Sequence, residues 1–220
     1  MKEELLFNTI MNGDDDDDND DDDDEPGNGE EPKENGNGNR SDDSLLEKLL
    51  NTRTVLLTGE INKRLTEKVI KQLILMEASG DDPIKVFIDS PGGDADAGFA
   101  IFDFIRFIKP QVITVGMGLV ASAAAIVLLA AKKENRVGFP NSHYLIHQPL
   151  SGIRGVATEI EIHARELDKI RKKIDMLISL ETGQPLEKVT QDTDRDYWLA
   201  ADEALNYGLI SRVITTRTEL

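Results

Sequence analysis

Short apolar runs and helical periodicity alternate along the second part of the chain. The runs are rich in β-branched residues and predict buried strands at residues 54–57, 84–88, 112–115, 137–139 and 144–146. Apolar residues that recur every three or four positions predict a helix between the first two strands and further helices at residues 96–108, 122–131 and 158–181. Because strands joined by helices need crossover connections, the pattern predicts an α/β fold with a largely parallel sheet.

The helix predicted at residues 158–181 is longer than a compact domain of this size needs. Thr158 and Glu161 have the spacing of a capping box at its start. We expect part of this helix to protrude and to pack on another subunit, which predicts an oligomer. A second capping box, Ser44 with Glu47, predicts that order begins near Ser44.

Residues 1–43 differ in charge from the rest of the chain. They hold 18 acidic and 3 basic residues, so −15 of the formal net charge of −17 lies there, with runs of aspartate at residues 14–18 and 20–24. Such a segment buries too little apolar surface to offset its ordering entropy. We therefore predict a disordered acidic tail at 1–43 and one folded domain at 44–220; docking of the leading apolar residues on a partner remains an alternative.

Composition argues against several classes of protein. The folded part is nearly neutral and has no basic stripe, which argues against nucleic-acid binding. There is no cysteine, so a disulfide framework and a thiolate site are excluded, and a cytoplasmic location is expected. The first residues carry acids where an export signal would carry positive charge. His143 and His147 are four apart, but in a predicted strand this spacing does not form the helical face of a zinc motif, and no Glu occupies the motif position, so no metal site is predicted.

One uncharged stretch, residues 112–131, has the length that a membrane helix needs. Its first half is β-branched, Gly116 and Gly118 interrupt it, and its second half is rich in alanine and leucine. We therefore expect a buried strand, a turn and a buried helix rather than a membrane span.

Candidate chemistry lies at the ends of the predicted strands. Ser122 precedes an alanine-rich helix, where it is either a helix cap or a nucleophile beside free backbone amides. The glycines of the SPGG turn at residues 90–93 are either a tight turn or a source of an oxyanion donor, the Gly93 amide, matched by that of Ala123. A P-loop is excluded because no Lys-Ser/Thr pair follows the glycines.

A general base and its orienting acid complete a possible triad. His147 follows a strand and precedes Pro149, whereas His143 and His163 fit ordinary surface or packing positions. A base needs a third group to fix its tautomer, and the residues alone leave three candidates open: Asp192, Asp194 and Asp196.

Together these motifs resemble the ClpP peptidase family over about residues 54–214: SPGG, PNSHYLIHQP, ATEIEIHARELDKI and TDRDYWLAADEALNYGLI. In that resemblance Ser122 is the nucleophile, His147 the base and Asp196 the third member, while Gly93 and Ala123 supply the oxyanion donors. The resemblance implies a crotonase-like (ClpP) fold with a protruding handle helix. No cofactor is implied for cleavage, because ATP is used by the partner.

The resemblance also implies an assembly. It implies a serine endopeptidase in a double heptameric ring, fed with unfolded polypeptide by an AAA+ Clp unfoldase such as ClpX or ClpA. Its substrate-pairing strand corresponds to Leu150, Ser151, Gly152, Ile153, Arg154 and Gly155. Its ring-to-ring contacts correspond to Gln148, Glu159 and Arg195.

Some positions differ from the family pattern. Ser122 lies in GLVASAAA where the family usually has GQAASMGA, so the adjoining pocket is expected to differ. Phe87 matches an aromatic position of the unfoldase-docking cleft, and Lys85 replaces another. Two alternatives follow: a catalytically silent or paralogue-dependent ring subunit, and an acyl-CoA hydratase of the same fold, which would use a carboxylate in place of a Ser-His pair.

Overall fold

The computed structural model describes residues 48–220. The disordered tail predicted for residues 1–43 and the capping box of Ser44 and Glu47 lie outside the described residues. The chain divides into two units, Met1–Thr52 and Arg53–Leu220. In the first unit residues 48–51 are helical; the second unit carries everything described below.

The second unit contains a seven-stranded sheet and the helices that cover it. The strands are β1 (Thr54–Thr58), β2 (Ile84–Ser90), β3 (Val112–Ala121), β4 (Arg136–Gly138), β5 (His143–Ile146), β6 (Tyr197–Ala200) and β7 (Arg212–Val213). The α-helices are α1 (Lys63–Ala78), α2 (Ala95–Phe107), α3 (Ala123–Leu128), α4 (Ala157–Thr182), α5 (Leu186–Asp192) and α6 (Ala201–Tyr207). Short 3₁₀ helices occur at Lys133–Asn135 and Arg217–Glu219.

Most strands of the sheet are parallel, as the alternating pattern predicted. The order is β1-β2-β3-β4-β7, and every pair in this path is parallel. Strand β3 has two partners in succession: its first half pairs with β4 and its second half, Leu119 to Ala121, pairs with β5. Strand β6 is antiparallel to β5. The end of β3 therefore meets the end of β5 at one edge of the sheet.

The prediction that β3 ends before Gly116 is wrong. The strand continues through both glycines to Ala121, because Gly118, at φ +55°, forms an irregularity at which pairing with β2 shifts register. The Asp89 carboxylate accepts a hydrogen bond of 2.9 Å from the Leu119 amide and so satisfies the backbone there. The following helix is also shorter than predicted and ends at Leu128.

The core lies between the sheet and helices α1, α2 and α3. Every residue of α3 is buried, as is the apolar side of β2, with Ile84, Val86 and Ile88. Residues 112–131 are thus an internal strand and a buried helix, as expected. Within residues 48–220, no helix combines the length and the hydropathy that a bilayer span requires.

Helix α4 confirms the long helix predicted at residues 158–181. Its buried residues, Ile174, Asp175, Ile178 and Thr182, all lie in its second half, so the first half protrudes from the domain. The predicted capping box is wrong: Glu159, not Glu161, reaches back, and its carboxylate accepts from the Val156 amide at 3.4 Å. The helix begins one residue before Thr158, so Thr158 is inside the first turn and is not the cap.

Candidate active site

Ser122 occupies the sharp turn between β3 and α3. Its backbone has φ 55° and ψ −120°, a conformation that non-glycine residues rarely adopt. The Ser122 amide donates to the Leu145 carbonyl at 2.9 Å, which continues the pairing of β3 with β5. The Ser122 side chain makes no capping hydrogen bond to α3. The structure therefore does not support the helix-cap interpretation and leaves the hydroxyl available for chemistry.

Gly92 provides the space that this turn needs. A Cβ atom on Gly92 would lie 2.6 Å from the Ala121 carbonyl oxygen and 2.6 Å from the Ser122 Cβ. Gly92 also has φ +92°, which disfavours any side chain. Its amide donates to the buried Ser90 hydroxyl at 3.1 Å. The SPGG turn therefore packs directly against the turn that holds Ser122.

Strand register brings His147 and Asp196 together. Strands β5 and β6 pair antiparallel with Ile146 opposite Tyr197, so the next residue after β5 faces the residue before β6. The His147 Nδ1 and Asp196 Oδ1 atoms are 3.4 Å apart, somewhat longer than a hydrogen bond. The His147 side chain is 13% exposed and that of Asp196 63% exposed. Of the three aspartates left open by the residue pattern, Asp196 is the one beside His147.

The other two aspartates have different partners. The Asp192 carboxylate accepts from the Tyr207 hydroxyl at 2.9 Å and pairs with Lys188. The Asp194 carboxylate accepts from Arg171 at 3.0 Å. Neither has His147 as a partner, so within the described residues the orienting role fits Asp196.

The two candidate oxyanion donors lie on the same side of the turn. Gly93 forms a parallel bridge with Ile61 that uses the Gly92 carbonyl and the Asp94 amide, so the bridge does not engage the Gly93 amide. Ala123 is the first residue of α3, where backbone amides have no partner within the helix. Gly93, Ser122 and Ala123 all line one cleft.

This cleft has a volume of about 570 Å³. Ser122 and His147 both line it, while Asp196 lies behind His147 and is not part of the wall. The apolar part of the wall comes from α3, β5 and one side of α4: Ala123, Ala125, Ile126, Leu145, Leu167, Ile170, Ile174 and Ile178. An apolar wall around a few convergent polar groups is typical of a binding site.

Among residues 48–220, the charged side chains of the cleft wall are Asp94, Asp96 and Glu166, and none of the lining residues is a lysine or arginine. The Asp94 carboxylate caps α2 by accepting from the Ala97 amide at 2.8 Å. Glu166 pairs with Lys169 at 2.6 Å. A substrate in this cleft therefore meets no lysine or arginine from the described part of the wall.

The segment predicted to pair with substrate follows His147. All six residues, Leu150, Ser151, Gly152, Ile153, Arg154 and Gly155, are exposed and outside any strand of the described chain. Leu150 and Ser151 line the cleft. The backbone of the segment is therefore free to pair with an extended peptide, and that role stays a prediction.

Of the residues predicted for ring-to-ring contacts, Glu159 lies at the start of α4, whereas Gln148 and Arg195 are the chain neighbours of His147 and Asp196. Gln148 is bound within the chain: its amide donates to the Thr193 carbonyl at 2.7 Å and its side chain to the Asp194 carbonyl at 2.6 Å. Glu159 is exposed at the start of α4, and the Arg195 side chain is 84% exposed. Contacts between rings stay a prediction for these residues.

The sequence motifs did not identify His163 as a site residue, and it was predicted to be an ordinary surface or packing residue. His163 lines the cleft, and its Nε2 atom lies 2.7 Å from the Ser151 hydroxyl oxygen. The signal was present in the helical spacing, because residues 163, 166, 167, 170, 174 and 178 are three or four apart and form one wall. His143, by contrast, is exposed and is not part of the cleft.

Metal ligands are not grouped in the part of the chain that the structure describes. Among residues 48–220, no three His, Cys, Asp or Glu side chains are arranged to hold a metal ion. The described residues in and beside the cleft supply a serine hydroxyl, an imidazole, a carboxylate and backbone amides.

The chain is similar to proteins of one known family. The profile described as Clp protease matches residues 36–217. A protein of Treponema denticola named ATP-dependent Clp protease proteolytic subunit 2 is 63% identical over 192 residues, 87% of this chain and 96% of its own length. A protein of Borreliella burgdorferi with the same name is 51% identical over 179 residues, 81% and 90% of the two chains. A solved ClpP1 mutant from Listeria monocytogenes is 49% identical with a TM-score of 0.75 and covers 79% of this chain and 98% of its own.

Proposed function

The chain belongs to the Clp protease family and is therefore a serine peptidase, and from this premise we propose that Ser122 is its nucleophile, His147 its general base and Asp196 the group that orients His147. The observation that carries the assignment is one cleft that holds Ser122 and His147, with the Asp196 carboxylate 3.4 Å behind the imidazole. The absence of a capping role for the Ser122 hydroxyl supports it further.

The proposed reaction is acyl transfer from a peptide to water. His147 takes the proton from the Ser122 hydroxyl as the oxygen attacks the peptide carbonyl. The amides of Gly93 and Ala123 donate to the oxyanion, and each such donor contributes about a hundredfold or more in rate. His147 then gives the proton to the leaving amine, and a water molecule, deprotonated by His147, releases the acyl group. No cofactor takes part in this sequence.

The substrate in this proposal is an unfolded polypeptide. Residues 150–155 supply backbone groups for pairing with an extended chain, and such pairing binds without reading side chains. The apolar wall of the cleft accepts the side chain next to the cleaved bond. A folded protein does not present an extended backbone, so it needs unfolding first.

The proposal extends to assembly with other subunits and to an ATP-using partner. The protruding half of α4 exposes Ile160 and Ile162, at 42% and 55%, which supports packing of that helix on another subunit in a closed double ring. The names of the relatives call them subunits of an ATP-dependent protease, which supports an AAA+ unfoldase as the ATP-using partner. Phe87, which matches an aromatic position of the family's unfoldase-docking cleft, has its ring 6.3 Å from that of Phe139, and this aromatic pair supports unfoldase docking at Phe87.

The two alternative functions have less support than a serine peptidase. A catalytically silent or paralogue-dependent ring subunit is not favoured, because serine, histidine and aspartate are all present and two of them share one cleft. An acyl-CoA hydratase is disfavoured by the protease match over residues 36–217.

A fluorophosphonate label on the purified full-length chain tests the proposal. We expect covalent labelling of the wild type in a ring-sized peak of size-exclusion chromatography, none in Ser122→Ala, and normal labelling in Ser211→Ala, whose serine is outside the cleft. An intact ring without labelling would reject the catalytic assignment. Labelling of a monomer would keep the assignment and reject self-sufficient assembly.

A further inference from the structure

The segment between β5 and α4 is held by few contacts. At its start the Gln148 amide donates to the Thr193 carbonyl at 2.7 Å, and at its end the Val156 amide donates to Glu159. Between these two points, the Ser151 hydroxyl and the His163 Nε2 atom, 2.7 Å apart, form the single hydrogen bond that residues 149–155 make within the described chain. This one bond therefore ties the middle of the segment to helix α4.

Both partners of this bond face the candidate active site. Ser151 and His163 line the same cleft as Ser122 and His147. His163 lies on the turn of α4 next to Glu166 and Leu167, which are also part of the wall. The bond therefore spans from the predicted substrate strand to the α4 wall of the cleft.

A second catalytic pair is the first explanation to consider, since a hydroxyl bound to an imidazole resembles a nucleophile with its base. Such a base needs a third group that fixes its tautomer. Within residues 48–220 no carboxylate accepts from the other nitrogen of His163, and the nearby Glu166 is paired with Lys169. The Ser151–His163 pair therefore lacks the groups of a triad and fits a mechanical role.

We propose that His163 is a positioning residue: its hydrogen bond to Ser151 holds residues 149–155 beside the cleft as a preformed edge for the substrate backbone. The inference rests on the proposed function of this cleft. A loop that is ordered before binding loses less conformational entropy when the peptide pairs with it, so peptide affinity is higher. His163 touches no reacting atom, so its loss should weaken peptide binding and leave the chemical step nearly unchanged.

Peptide affinity in an inactive background tests the proposal on the full-length chain. In Ser122→Ala protein, the affinity for a fluorescein-labelled, uncharged peptide is measured by anisotropy. We expect His163→Ala and Ser151→Ala each to weaken binding by about two- to tenfold, the range for one hydrogen bond, and the double variant to weaken it no further. His163→Gln, whose amide nitrogen reaches about as far as the imidazole Nε2, should restore most of the affinity. His143→Ala is the matched control and should change nothing.

A second measurement does not depend on peptide binding. A nitroxide spin label on Ile153→Cys, the one cysteine of such a protein, should become more mobile in His163→Ala and keep its mobility in His143→Ala. With Ser122 restored, His163→Ala should raise KM and leave kcat within about twofold, whereas loss of a catalytic group lowers kcat.

Unchanged mobility of the label at position 153 in His163→Ala, equal peptide affinity in all variants, or a loss confined to kcat would each overturn the proposal. The proposed function fails separately, through absence of fluorophosphonate labelling in the wild type, a result on which neither the label mobility nor the anisotropy depends.

Discussion

The backbone of Ser122 shows what a single residue requires of its neighbours. A non-glycine residue at φ 55° and ψ −120° is strained and persists only where the surroundings hold it. Here the Leu145 carbonyl holds its amide, and Gly92 leaves room for its Cβ. The strain lies in the turn that presents the hydroxyl to the cleft. A change in either neighbour should therefore alter the backbone geometry of Ser122.

Gly92→Ala should move or unfold the Ser122 turn. The new Cβ would lie 2.6 Å from two atoms of that turn, which predicts a loss of about 1–3 kcal/mol in the free energy of unfolding and a fluorophosphonate labelling rate at least tenfold lower. Gly59→Ala is the control, because Gly59 also has positive φ, +82°, but has nothing within 4 Å of the added Cβ. Thermal unfolding and labelling rates measure both. Equal effects at the two glycines would show that backbone strain alone, and not the close approach, matters.

Asp196→Asn tests the third member of the triad. Its amide cannot hold the imidazole tautomer that a carboxylate holds, so kcat for a fluorogenic peptide should fall by about 10⁴. Asp202→Asn, an exposed aspartate in the first turn of α6, should leave kcat unchanged. A decrease of less than about threefold in Asp196→Asn would mean that another group orients His147.

At the scale of elements, Tyr144 fills the gap where β4 and β5 separate along β3. Its hydroxyl lies against Gly116 and Gly138, at positions where a Cβ would be only 2.5 and 2.1 Å from it. The same hydroxyl is hydrogen-bonded to the Ser142 hydroxyl at 2.9 Å. Burial raises the pKa of Tyr144 to about 12. The side chain thus joins β5, the strand that leads to His147, to β3 and β4.

Tyr144→Phe should lower the free energy of unfolding by about 1 kcal/mol near neutral pH, the value of one hydrogen bond. The sign of this stability difference changes at high pH. In the unfolded chain tyrosine ionises near pH 10, whereas the folded pKa is about 12, so the wild type loses stability between these values and the variant does not. The difference between the two proteins should therefore shrink above about pH 10 and reverse, in favour of the variant, before about pH 12 in urea unfolding. A difference that stays constant with pH would contradict the raised pKa.

A buried charge pair fixes the second half of α4 to the sheet. Arg136, whose side chain is 1% exposed, donates to the carbonyls of Ala131 and Glu181 at 2.8 and 2.9 Å and pairs with the Glu181 carboxylate. Arg106 pairs with the same carboxylate at 2.6 Å. Burial lowers the pKa of Arg136, and Glu181 opposes that shift. Removal of Glu181 would leave a buried positive charge without a counter-ion.

Glu181→Ala should therefore cost about 3–5 kcal/mol in the free energy of unfolding. Glu161→Ala on the same helix removes an exposed partner of Arg165 and should cost about 0.5 kcal/mol or less. Urea unfolding of the two variants compares them directly. Similar costs for both would mean that Arg136 finds another counter-charge after Glu181 is removed.

At the scale of the whole molecule, charge is divided sharply along the chain. Residues 1–43 carry −15 of the net charge of −17, so the peptidase unit itself is almost neutral. An acidic substrate that approaches this chain is repelled mainly by the first segment. Such repulsion between exposed charges is screened over about 10 Å at 0.1 M salt.

Salt should therefore speed hydrolysis of an acidic fluorogenic peptide by the full-length protein as ionic strength rises from about 0.01 to about 0.15 M. A protein without residues 1–43 should show a smaller increase, due to the carboxylates of the cleft wall, and a neutral peptide should show none with either protein. Initial rates at several salt concentrations measure this. Equal salt responses of the full-length and shortened proteins would reject charge gating by the first segment.

Much of the architecture was predictable from local pattern, and the exceptions lie at the ends of elements. The parallel sheet, the buried strand and helix at residues 112–131 and the long α4 were predicted correctly from periodicity. The end of β3 was predicted too early, because glycine usually ends a strand and the Asp89 carboxylate that satisfies the bulge lies in another strand. The cap of α4 was misplaced because the helix begins at Ala157, so Glu159 reaches the amide of the cap residue Val156, whereas Glu161 pairs with Arg165.

By itself, the sequence determined the family and the order and type of the main elements from β1 to α4, and it selected the candidate serine and histidine, because periodicity and motifs are short-range properties. Only the tertiary structure decided that Asp196 faces His147, that Gly92 supports Ser122, and that Ser151 meets His163. Each of these depends on strand register or on packing between distant segments. Register follows from how whole faces bury against one another, and no local pattern contains that information.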